Sequence, residues 1–208
     1  MKITDFFDKT YCINLDRRFD RWEECLIEFK KYDIEGVVRW LAIDGNNINK
    51  LGSCEKSSQT ALILTNIDIL EDSIKNNLKN VLIMEDDIKF SDEIYNISEY
   101  FKYLPEDWDM VYFGGNHNSH MGVNSPLIIN EKVCKLHNTF TTHCVGINGK
   151  SFNTIINKLK EFNNPLDVIY TDLQRSLNVY CFYPLIATQR ISYSDIEGRV
   201  VNYDWLIK

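Results

Sequence analysis

Apolar residues are arranged along this chain in two alternating patterns. Runs of consecutive apolar residues without a helical period predict strands that are buried on both faces, as in a parallel sheet covered by helices. Segments whose apolar residues recur every three or four positions predict amphipathic helices. Strands are predicted at residues 11–15, 37–43, 81–84, 108–113, 144–148 and 179–183, and helices over residues 22–29, 63–74, 94–104, 152–159 and 166–177. This order of elements is typical of the α/β class.

Two parts of the chain give weaker patterns. Residues 126–129 and 132–136 predict short strands in a hairpin or a cover loop. Residues 189–208 are polar and aromatic without a clear period, and no element is predicted there. Because no linker or internal repeat separates the segments, residues 1–208 are expected to form a single domain.

Three carboxylates, Glu85, Asp86 and Asp87, follow directly after the strand predicted at residues 81–84. Charges of one sign at the end of a buried strand repel one another unless a positive charge joins them. Ligands of open α/β sheets bind beyond the carboxyl ends of the strands, and carboxylate oxygens suit a hard divalent cation such as Mg²⁺ or Mn²⁺. The same residues are also compatible with an acidic turn that caps a helix beginning near Ser91.

Three arginines, Arg17, Arg18 and Arg21, lie just beyond the first predicted strand. In a parallel sheet they would stand at the same edge as the acidic residues, where guanidinium groups are suited to grip a diphosphate. The alternative is that they are solvated arginines on the first turns of a surface helix.

Composition narrows the range of functions. The sequence has 208 residues, a net charge of -7 and a pI near 5.1, which argues against a surface for nucleic acid or anionic membranes. No apolar run approaches the roughly 18 residues of a membrane span, and the N-terminus lacks the apolar core of a signal peptide. The six cysteines are scattered without a C-x-x-C pair, which is typical of a reducing compartment, so we expect a cytosolic protein.

Several segments together resemble one known family. INLDRR at residues 13–18, with Arg21 and Trp22, resembles the opening of glycosyltransferase family 25, the group of lipooligosaccharide and collagen galactosyl- or glucosyltransferases. Further segments resemble later blocks in the family's order: AIDG (42–45), LIMEDD (82–87), WDMVYFG (108–114), PLD (165–167), YP (183–184) and SDI (194–196). The resemblance covers nearly the whole chain. One position departs from it, because Ser58 stands where the family usually has a histidine.

This resemblance implies a GT-A fold, a Rossmann-like single domain with a mixed, mostly parallel sheet flanked by helices. It implies a UDP-sugar donor, a divalent metal (Mn²⁺ or Mg²⁺) and inversion at the anomeric carbon. The transferred sugar would be galactose or glucose, and the acceptor a hydroxyl of a glycan or a hydroxylated protein. The residue chemistry agrees, because a carboxylate-bound metal and nearby arginines can neutralise a diphosphate leaving group.

Individual residues also receive expected roles from the resemblance. Asp87 is expected to ligate the metal, and Asp195 to contact the metal or the diphosphate unless it is an exposed acid of the tail. Asp167 is the expected base for the acceptor's proton, with Asp172 in reserve, although Asp167 also suits a helix cap. The nucleotide-sugar is expected to contact Ile13, Asn14, Leu15, Arg17, Arg18, Arg21, Asp44, Glu85 and Asp86.

Two other functions are compatible with the same residues. A nucleotide-sugar-binding or scaffolding domain without turnover is allowed by the departure at Ser58. A Mg²⁺-dependent phosphotransferase or phosphatase would use the same acidic strand end, but the sequence has no P-loop glycine pattern. The four histidines, His117, His120, His137 and His143, are expected to be polar loop or core residues rather than ligands. His117, beside the double glycine, is the strongest candidate for a ligand among them.

Overall fold

The computed structural model describes residues 2–117, 126–196 and 198–202. Its helices are α1 (Ile3–Phe6), α2 (Phe19–Lys31), α3 (Ser57–Lys75), α4 (Ile97–Tyr103), α5 (Phe152–Leu159) and α6 (Leu166–Leu173). Its strands are β1 (Lys9–Asn14), β2 (Val37–Leu41), β3 (Asn80–Glu85), β4 (Ile88–Phe90), β5 (Met110–Tyr112), β6 (Leu127–Ile128), β7 (Val133–Lys135), β8 (Cys144–Asn148), β9 (Val179–Phe182), β10 (Ala187–Gln189), β11 (Ser192–Ser194) and β12 (Arg199–Val201). Within these described residues, no helix combines the length and the apolar character that a membrane crossing requires.

One large sheet organises the described part of the chain, with eight strands in the order β2-β1-β3-β8-β5-β9-β7-β6. Strand β1 lies between β2 and β3 and is parallel to both, and β5 is parallel to β9. Strand β8 runs antiparallel between β3 and β5, and β7 runs antiparallel to β9 and β6. Among the eight described strands of this sheet, only β8 and β7 therefore oppose the common direction. The predicted α/β class with a mixed, mostly parallel sheet is confirmed.

Helices cover both faces of this sheet. Successive residues of a strand point to opposite faces, so alternate residues of β3 pack against different helices. Along β3, Leu82 and Met84 join a core with residues of α2 and α4, whereas Val81 and Ile83 join a core with residues of α3, α5 and α6. All four side chains are at most 3% exposed. The interpretation of this apolar run as a strand buried on both faces is confirmed.

Some element boundaries differ from the prediction where the elements are too short to show a period. The segment after the acidic residues is first the strand β4 and then a 3₁₀ turn, so α4 begins at Ile97 rather than near residue 94. Helix α6 ends at Leu173 rather than at residue 177, because the chain then tightens into i→i+3 hydrogen bonds. No element was predicted after residue 183, but Ala187–Gln189 forms β10, which pairs with β4, and the described part of the tail forms the hairpin β11–β12.

The topology brings distant segments to one edge of the sheet. Strands β1 and β3 are parallel neighbours in which Ile13 is opposite Glu85, so their carboxyl ends lie side by side. The tail reaches the same place, because β10 ends at Gln189 and the backbone N–H of Arg190 donates to the carbonyl oxygen of Asp87 at 2.6 Å.

Candidate functional site

A cleft of about 560 Å³ opens at this edge of the sheet. Its walls come from the ends of β1 and β3, the loop after β2, the first turns of α3 and α6, the residues before β8, and the tail. The predicted nucleotide-sugar and metal residues that line it are Ile13, Asn14, Leu15, Arg17, Arg21, Asp44, Glu85, Asp86, Asp87 and Asp195. This is the position where open α/β sheets bind ligands.

Arg21 supplies the positive charge that the acidic residues need. It lies on the first turn of α2, and its guanidinium Nη2 contacts Asp86 Oδ1 at 2.5 Å and Asp87 Oδ2 at 3.1 Å. The Arg21 side chain is 8% exposed, so this is a buried ion pair and not a solvated surface arginine. A buried charge of this kind is tolerated only because it is paired and hydrogen-bonded.

The carboxylates are further fixed by polar side chains from other elements. Asn14 Nδ2 donates to Asp86 Oδ2 at 2.6 Å, while Asn14 Oδ1 accepts from Arg39 Nε at 2.9 Å. Gln189 Nε2 donates to Asp87 Oδ2 at 3.2 Å, and Thr142 Oγ1 donates to Glu85 Oε1 at 2.7 Å. Each acid therefore has its own donor.

Sequence reasoning had not named Arg39, Thr142, Gln189 or Arg190 as parts of the site. Arg190 holds the backbone of the acidic turn, because its Nη2 donates to the Asp86 carbonyl oxygen at 2.7 Å. No motif marks these residues. Arg39 reaches the site from β2, which pairs with β1, and Thr142, Gln189 and Arg190 reach it because the segment before β8 and the residues around β10 fold back to the acidic edge.

Burial makes the acidic group costly to ionise. Burial, reinforced by the charge of Asp87, raises the pKa of Glu85 to about 8, although the Thr142 hydroxyl opposes this. Burial likewise raises the pKa of Asp86 to about 6, and the Arg21 guanidinium limits the shift. The site consequently favours any additional positive charge.

The residues present fit a hard divalent cation. Asp87 Oδ1 is buried and has no hydrogen-bond partner among the described residues, and the same is true of Gln189 Oε1 and Thr141 Oγ1. All three residues line the cleft, and carboxylate, amide and hydroxyl oxygens are the donors that Mg²⁺ and Mn²⁺ prefer. A buried carboxylate oxygen without a hydrogen-bond partner can serve as a ligand for such a cation.

A second charge cluster holds the other two predicted arginines. Arg17 Nε contacts Asp44 Oδ2 at 2.8 Å and its Nη2 contacts Asp195 Oδ1 at 2.9 Å, while Arg18 Nη1 contacts Asp195 Oδ2 at 2.5 Å. Arg18 also pairs with Asp20 and is not in the lining of the cleft. Asp195 therefore lies among arginines, with both of its carboxylate oxygens engaged by them.

The two candidates for the catalytic base lie in different parts of the structure. Asp167 is on the first turn of α6 and lines the cleft together with Pro165 and Leu166. Asp172 lies one turn further along the same helix, contacts Arg175 at 3.4 Å and lines a different concavity. The structure does not bring Asp172 into the cleft with the acidic residues.

Ser58, which replaces the expected histidine, lines the cleft on the first turn of α3. Its backbone packs against Gly45, where an added Cβ would lie 2.7 Å from Ser58 Cα. Only glycine permits this close approach of the loop after β2 to the helix. The N–H groups in the first turn of a long helix carry partial positive charge and attract anions. The first turn of α3 therefore gives this wall of the cleft a partial positive charge.

The described histidines lie outside the cleft. His143 is fully buried beside β10, with Nε2 3.3 Å from the Ala187 carbonyl oxygen, and burial lowers its pKa. His117 Nδ1 lies 2.9 Å from Thr139 Oγ1 and its pKa is also lowered by burial. His137 is not in the lining of the cleft either, and His120 falls outside the described residues.

Comparisons with known proteins give distant similarities. No family model matches the chain, and no curated protein matches it. Similar solved structures include a glycosyltransferase involved in the glycosylation of the major capsid of PBCV-1, with a TM-score of 0.43 and 9% identity over 73% of this chain and 65% of that chain. Mouse xyloside xylosyltransferase 1 in its apo form has a TM-score of 0.44 and 7% identity, over 80% of this chain and 68% of that chain.

A third similar structure is a mutant of Drosophila beta-1,4-galactosyltransferase 7 in complex with manganese, UDP-Gal and xylobiose. Its TM-score is 0.44 and its identity 6%, over 94% of this chain and 75% of that chain. The chain spans only 65% of the length of the PBCV-1 enzyme. At such scores the likeness does not extend to function, and this chain's own residues must support any functional proposal.

Proposed function

We propose that this protein is a metal-dependent, inverting glycosyltransferase of the GT-A type that transfers a hexose, galactose or glucose, from a UDP-sugar to a hydroxyl acceptor. The observation that supports this most directly is the unpartnered Asp87 Oδ1 in a buried acidic turn held by Arg21. That turn shares one cleft with Arg17, whose partly exposed guanidinium is suited to a diphosphate, and with Asp167 of α6. A donor site and a base for an acceptor are the two components that such a transfer needs.

Asp87 is the proposed metal ligand, because its Oδ1 is a buried carboxylate oxygen without a hydrogen-bond partner among the described residues. Gln189 and Thr141 offer further unpartnered oxygens to the same ion. When bound, Mn²⁺ or Mg²⁺ would neutralise the negative charge of the diphosphate leaving group. Arg21 and Asn14 orient the acidic turn, and Glu85 and Asp86 within it are the proposed contacts of the nucleotide-sugar.

Arg17 is the proposed diphosphate contact, with Arg18 behind it. The Arg17 side chain is 44% exposed and lines the cleft, so an anion can reach it. In the described structure Asp44 and Asp195 occupy its donors, and a diphosphate would compete with Asp195 for them. We therefore propose for Asp195 a role as the counter-charge that a diphosphate replaces.

Asp167 is the proposed general base. An inverting displacement requires the incoming hydroxyl to lose its proton on the face of the sugar opposite the leaving group, and Asp167 stands on a different wall of the cleft from the acidic turn. Its backbone is fixed by the first turn of α6, where the Thr171 hydroxyl donates to its carbonyl oxygen at 2.8 Å. A rigid helix start is a suitable position for a base that must meet an acceptor in one orientation.

The membership of family 25, and an acceptor that is a glycan or a hydroxylated protein, belong to the same proposal and depend on the segment resemblance. Residues 1–208 would act as one domain. All six cysteines lie in the described part of the chain as free, buried thiols, which is compatible with the reducing cytosol that we propose as its location.

The proposal is tested by incubating the purified protein with a panel of UDP-sugars and Mn²⁺ and measuring UDP release without an added acceptor. Slow release from UDP-galactose or UDP-glucose, abolished by Asp87→Asn, is the expected result, because water can replace the acceptor hydroxyl. Release that is equal with every nucleotide-sugar and persists in Asp87→Asn would contradict it.

A binding or scaffolding domain without turnover remains the second candidate. It is favoured by Ser58 in place of a histidine and by the carboxylates that already engage Arg17 and Arg18. This candidate predicts that UDP-sugars stabilise the protein without any UDP release, whereas the transferase releases UDP. The same assay therefore separates the two functions.

A further inference from the structure

We propose that His117, Cys134 and Cys181 form a second metal site, distinct from the acidic cleft, that binds a thiophilic divalent ion, Zn²⁺. One ligand atom from each of the three side chains lies within 4.8 Å of those of the other two. None of the three residues lines the cleft. The chain has no zinc-binding sequence spacing, so the grouping arises from the fold alone.

Three neighbouring strands of the sheet bring these residues together. Cys134 of β7 is directly opposite Cys181 of β9, and directly opposed residues of an antiparallel pair point to the same face. Strand β9 also pairs with β5, and the chain that leaves β5 carries His117. That chain is held in place by a bridge in which Asn116 and Phe140 exchange backbone hydrogen bonds of 3.0 and 2.8 Å.

The ligand set matches zinc in chemistry and in charge. Two cysteine thiolates and an imidazole are soft and borderline donors, which bind Zn²⁺ in preference to Mg²⁺ or Mn²⁺. Two thiolates and a neutral imidazole around Zn²⁺ have no net charge, which suits a place where Cys134 is 5% and Cys181 0% exposed. Binding releases the two thiol protons to solvent, and no electron transfer is involved.

The spacing of the ligand atoms requires only a small contraction. A tetrahedral Zn²⁺ bound by these three side chains would take a water molecule as its fourth ligand, and bonds of about 2.3 Å to sulfur would place the two sulfur atoms roughly 3.8 Å apart. The three ligand atoms are already within 4.8 Å of one another. Adjustments of side-chain torsion angles can close this difference without moving the strands.

The histidine is oriented in advance. Its Nδ1 lies 2.9 Å from Thr139 Oγ1, and Nε2 is assigned to the metal, because a hydrogen bond to the second ring nitrogen is usual for metal-bound histidine. Thr139 is itself held in place, because its backbone oxygen accepts from Gln174 Nε2 at 2.7 Å and its backbone N–H donates to Gln174 Oε1 at 2.9 Å.

The site would fasten the segment after β5 to the β7–β9 pair and, through Thr139, to the end of α6. Its role would then be structural. Zinc at 100 times its dissociation constant is expected to raise the Tm of the full chain by about 5–10 °C, since ligands that bind only the folded state stabilise it.

Cobalt substitution tests the site directly. The reduced full-length protein is stripped with a chelator and titrated with Co²⁺, and the near-ultraviolet sulfur-to-cobalt charge-transfer band is followed. One cobalt per chain is expected to generate this band, and added Zn²⁺ is expected to remove it. Ions bound by carboxylates in the cleft do not contribute, because the band requires a cobalt–sulfur bond.

Variants then assign the ligands. Cys134→Ser and Cys181→Ser each remove one of the two cobalt–sulfur bonds and are expected to lose at least half of the band, and the double variant is expected to lose all of it. His117→Asn, which keeps both thiols, is expected to weaken Co²⁺ binding. Cys144→Ser, at another buried strand cysteine, is the matched control and is expected to keep the band. Absence of the band in the reduced wild-type protein, or a band of undiminished intensity in Cys134→Ser or in Cys181→Ser, would overturn the proposal.

Discussion

At the scale of single residues, Arg21 and Arg17 have different tasks although only three residues lie between them. The Arg21 side chain is 8% exposed and pairs with Asp86 and Asp87, whereas that of Arg17 is 44% exposed and reaches the cleft from its rim. Removing one partner of a buried pair leaves an uncompensated buried charge, but exposed pairs contribute little to stability. Arg21 is therefore a structural cation and Arg17 a candidate ligand contact.

Replacing Arg21 by alanine is expected to lower the free energy of unfolding by about 3–5 kcal/mol, because Asp86 and Asp87 lose their buried counter-charge. Arg17→Ala, the matched control, is expected to change it by at most about 1 kcal/mol and to weaken UDP binding by about 1.5–3 kcal/mol. Urea denaturation measures the first effect and calorimetry the second. Equal destabilisation by both substitutions would contradict the assignment.

Asp167 carries the second prediction at this scale. Asp167→Asn is expected to leave UDP-sugar and metal binding nearly intact and to slow transfer by roughly 10²–10⁴-fold, the usual contribution of a general base. The amide keeps the shape of the side chain and can still accept from the backbone N–H of Val168, which lies 2.9 Å from Asp167 Oδ1. Single-turnover transfer with saturating donor is the appropriate measurement.

The control for this experiment lies on the same helix. Asp172→Asn changes a carboxylate of α6 that does not line the cleft, so transfer is expected to proceed at the wild-type rate. If Asp167→Asn is as active as Asp172→Asn, neither residue is the base. A loss of donor affinity alone in Asp167→Asn would instead make it a binding residue.

At the scale of elements, sequence reasoning succeeded where an element is long or fully apolar. The run Val81 to Met84 predicted β3 because four consecutive apolar residues allow few other structures. It failed at β4 and β10, which have three residues each and are stabilised by pairing with one another rather than by their own pattern. Strand formation by such short segments depends on a distant partner that no local pattern reveals.

The hairpin β11–β12 is held in position by side chains at the edge of the cleft. Asp195, at its turn, is held by Arg17 and Arg18, and Lys56 Nζ donates to the Ile196 carbonyl oxygen at 2.9 Å. Arg21 Nη1 donates to the Tyr193 carbonyl oxygen at 3.2 Å. These contacts hold the β11–β12 hairpin against Arg17, Arg18 and Arg21.

Asp195→Asn is expected to increase amide hydrogen exchange in β11 and β12 several-fold and to leave exchange in β1 and β3 unchanged, because only the hairpin loses its ionic anchor. Hydrogen-exchange mass spectrometry measures both regions in one sample. Asp172→Asn serves again as the control. Exchange in the hairpin that matches the wild-type protein would show that the anchor has no effect on this element.

At the scale of the whole molecule, the cleft is a product of topology. The sequence placed Glu85, Asp86 and Asp87 at a strand end and arginines beyond the neighbouring strand, and parallel pairing of β1 with β3 joins the two groups. It could not indicate which arginine is buried, because Arg17, Arg18 and Arg21 all precede or enter one amphipathic helix. The contributions of Gln189 and Thr142 were not predictable either, since each comes from a remote segment without a motif.

The central claim is that the acidic cleft binds UDP through a divalent cation held by Asp87. Isothermal titration of UDP into the full-length protein, in Mn²⁺ and then in chelator, tests it most directly, with uridine as the ligand control and Asp172→Asn as the protein control. UDP is expected to bind roughly tenfold or more tightly with Mn²⁺, a difference of about 1.4 kcal/mol or more, and folded Asp87→Asn is expected to lose that difference. Equal UDP affinity in Mn²⁺ and in chelator, or an undiminished Mn²⁺ effect in Asp87→Asn, would contradict the account.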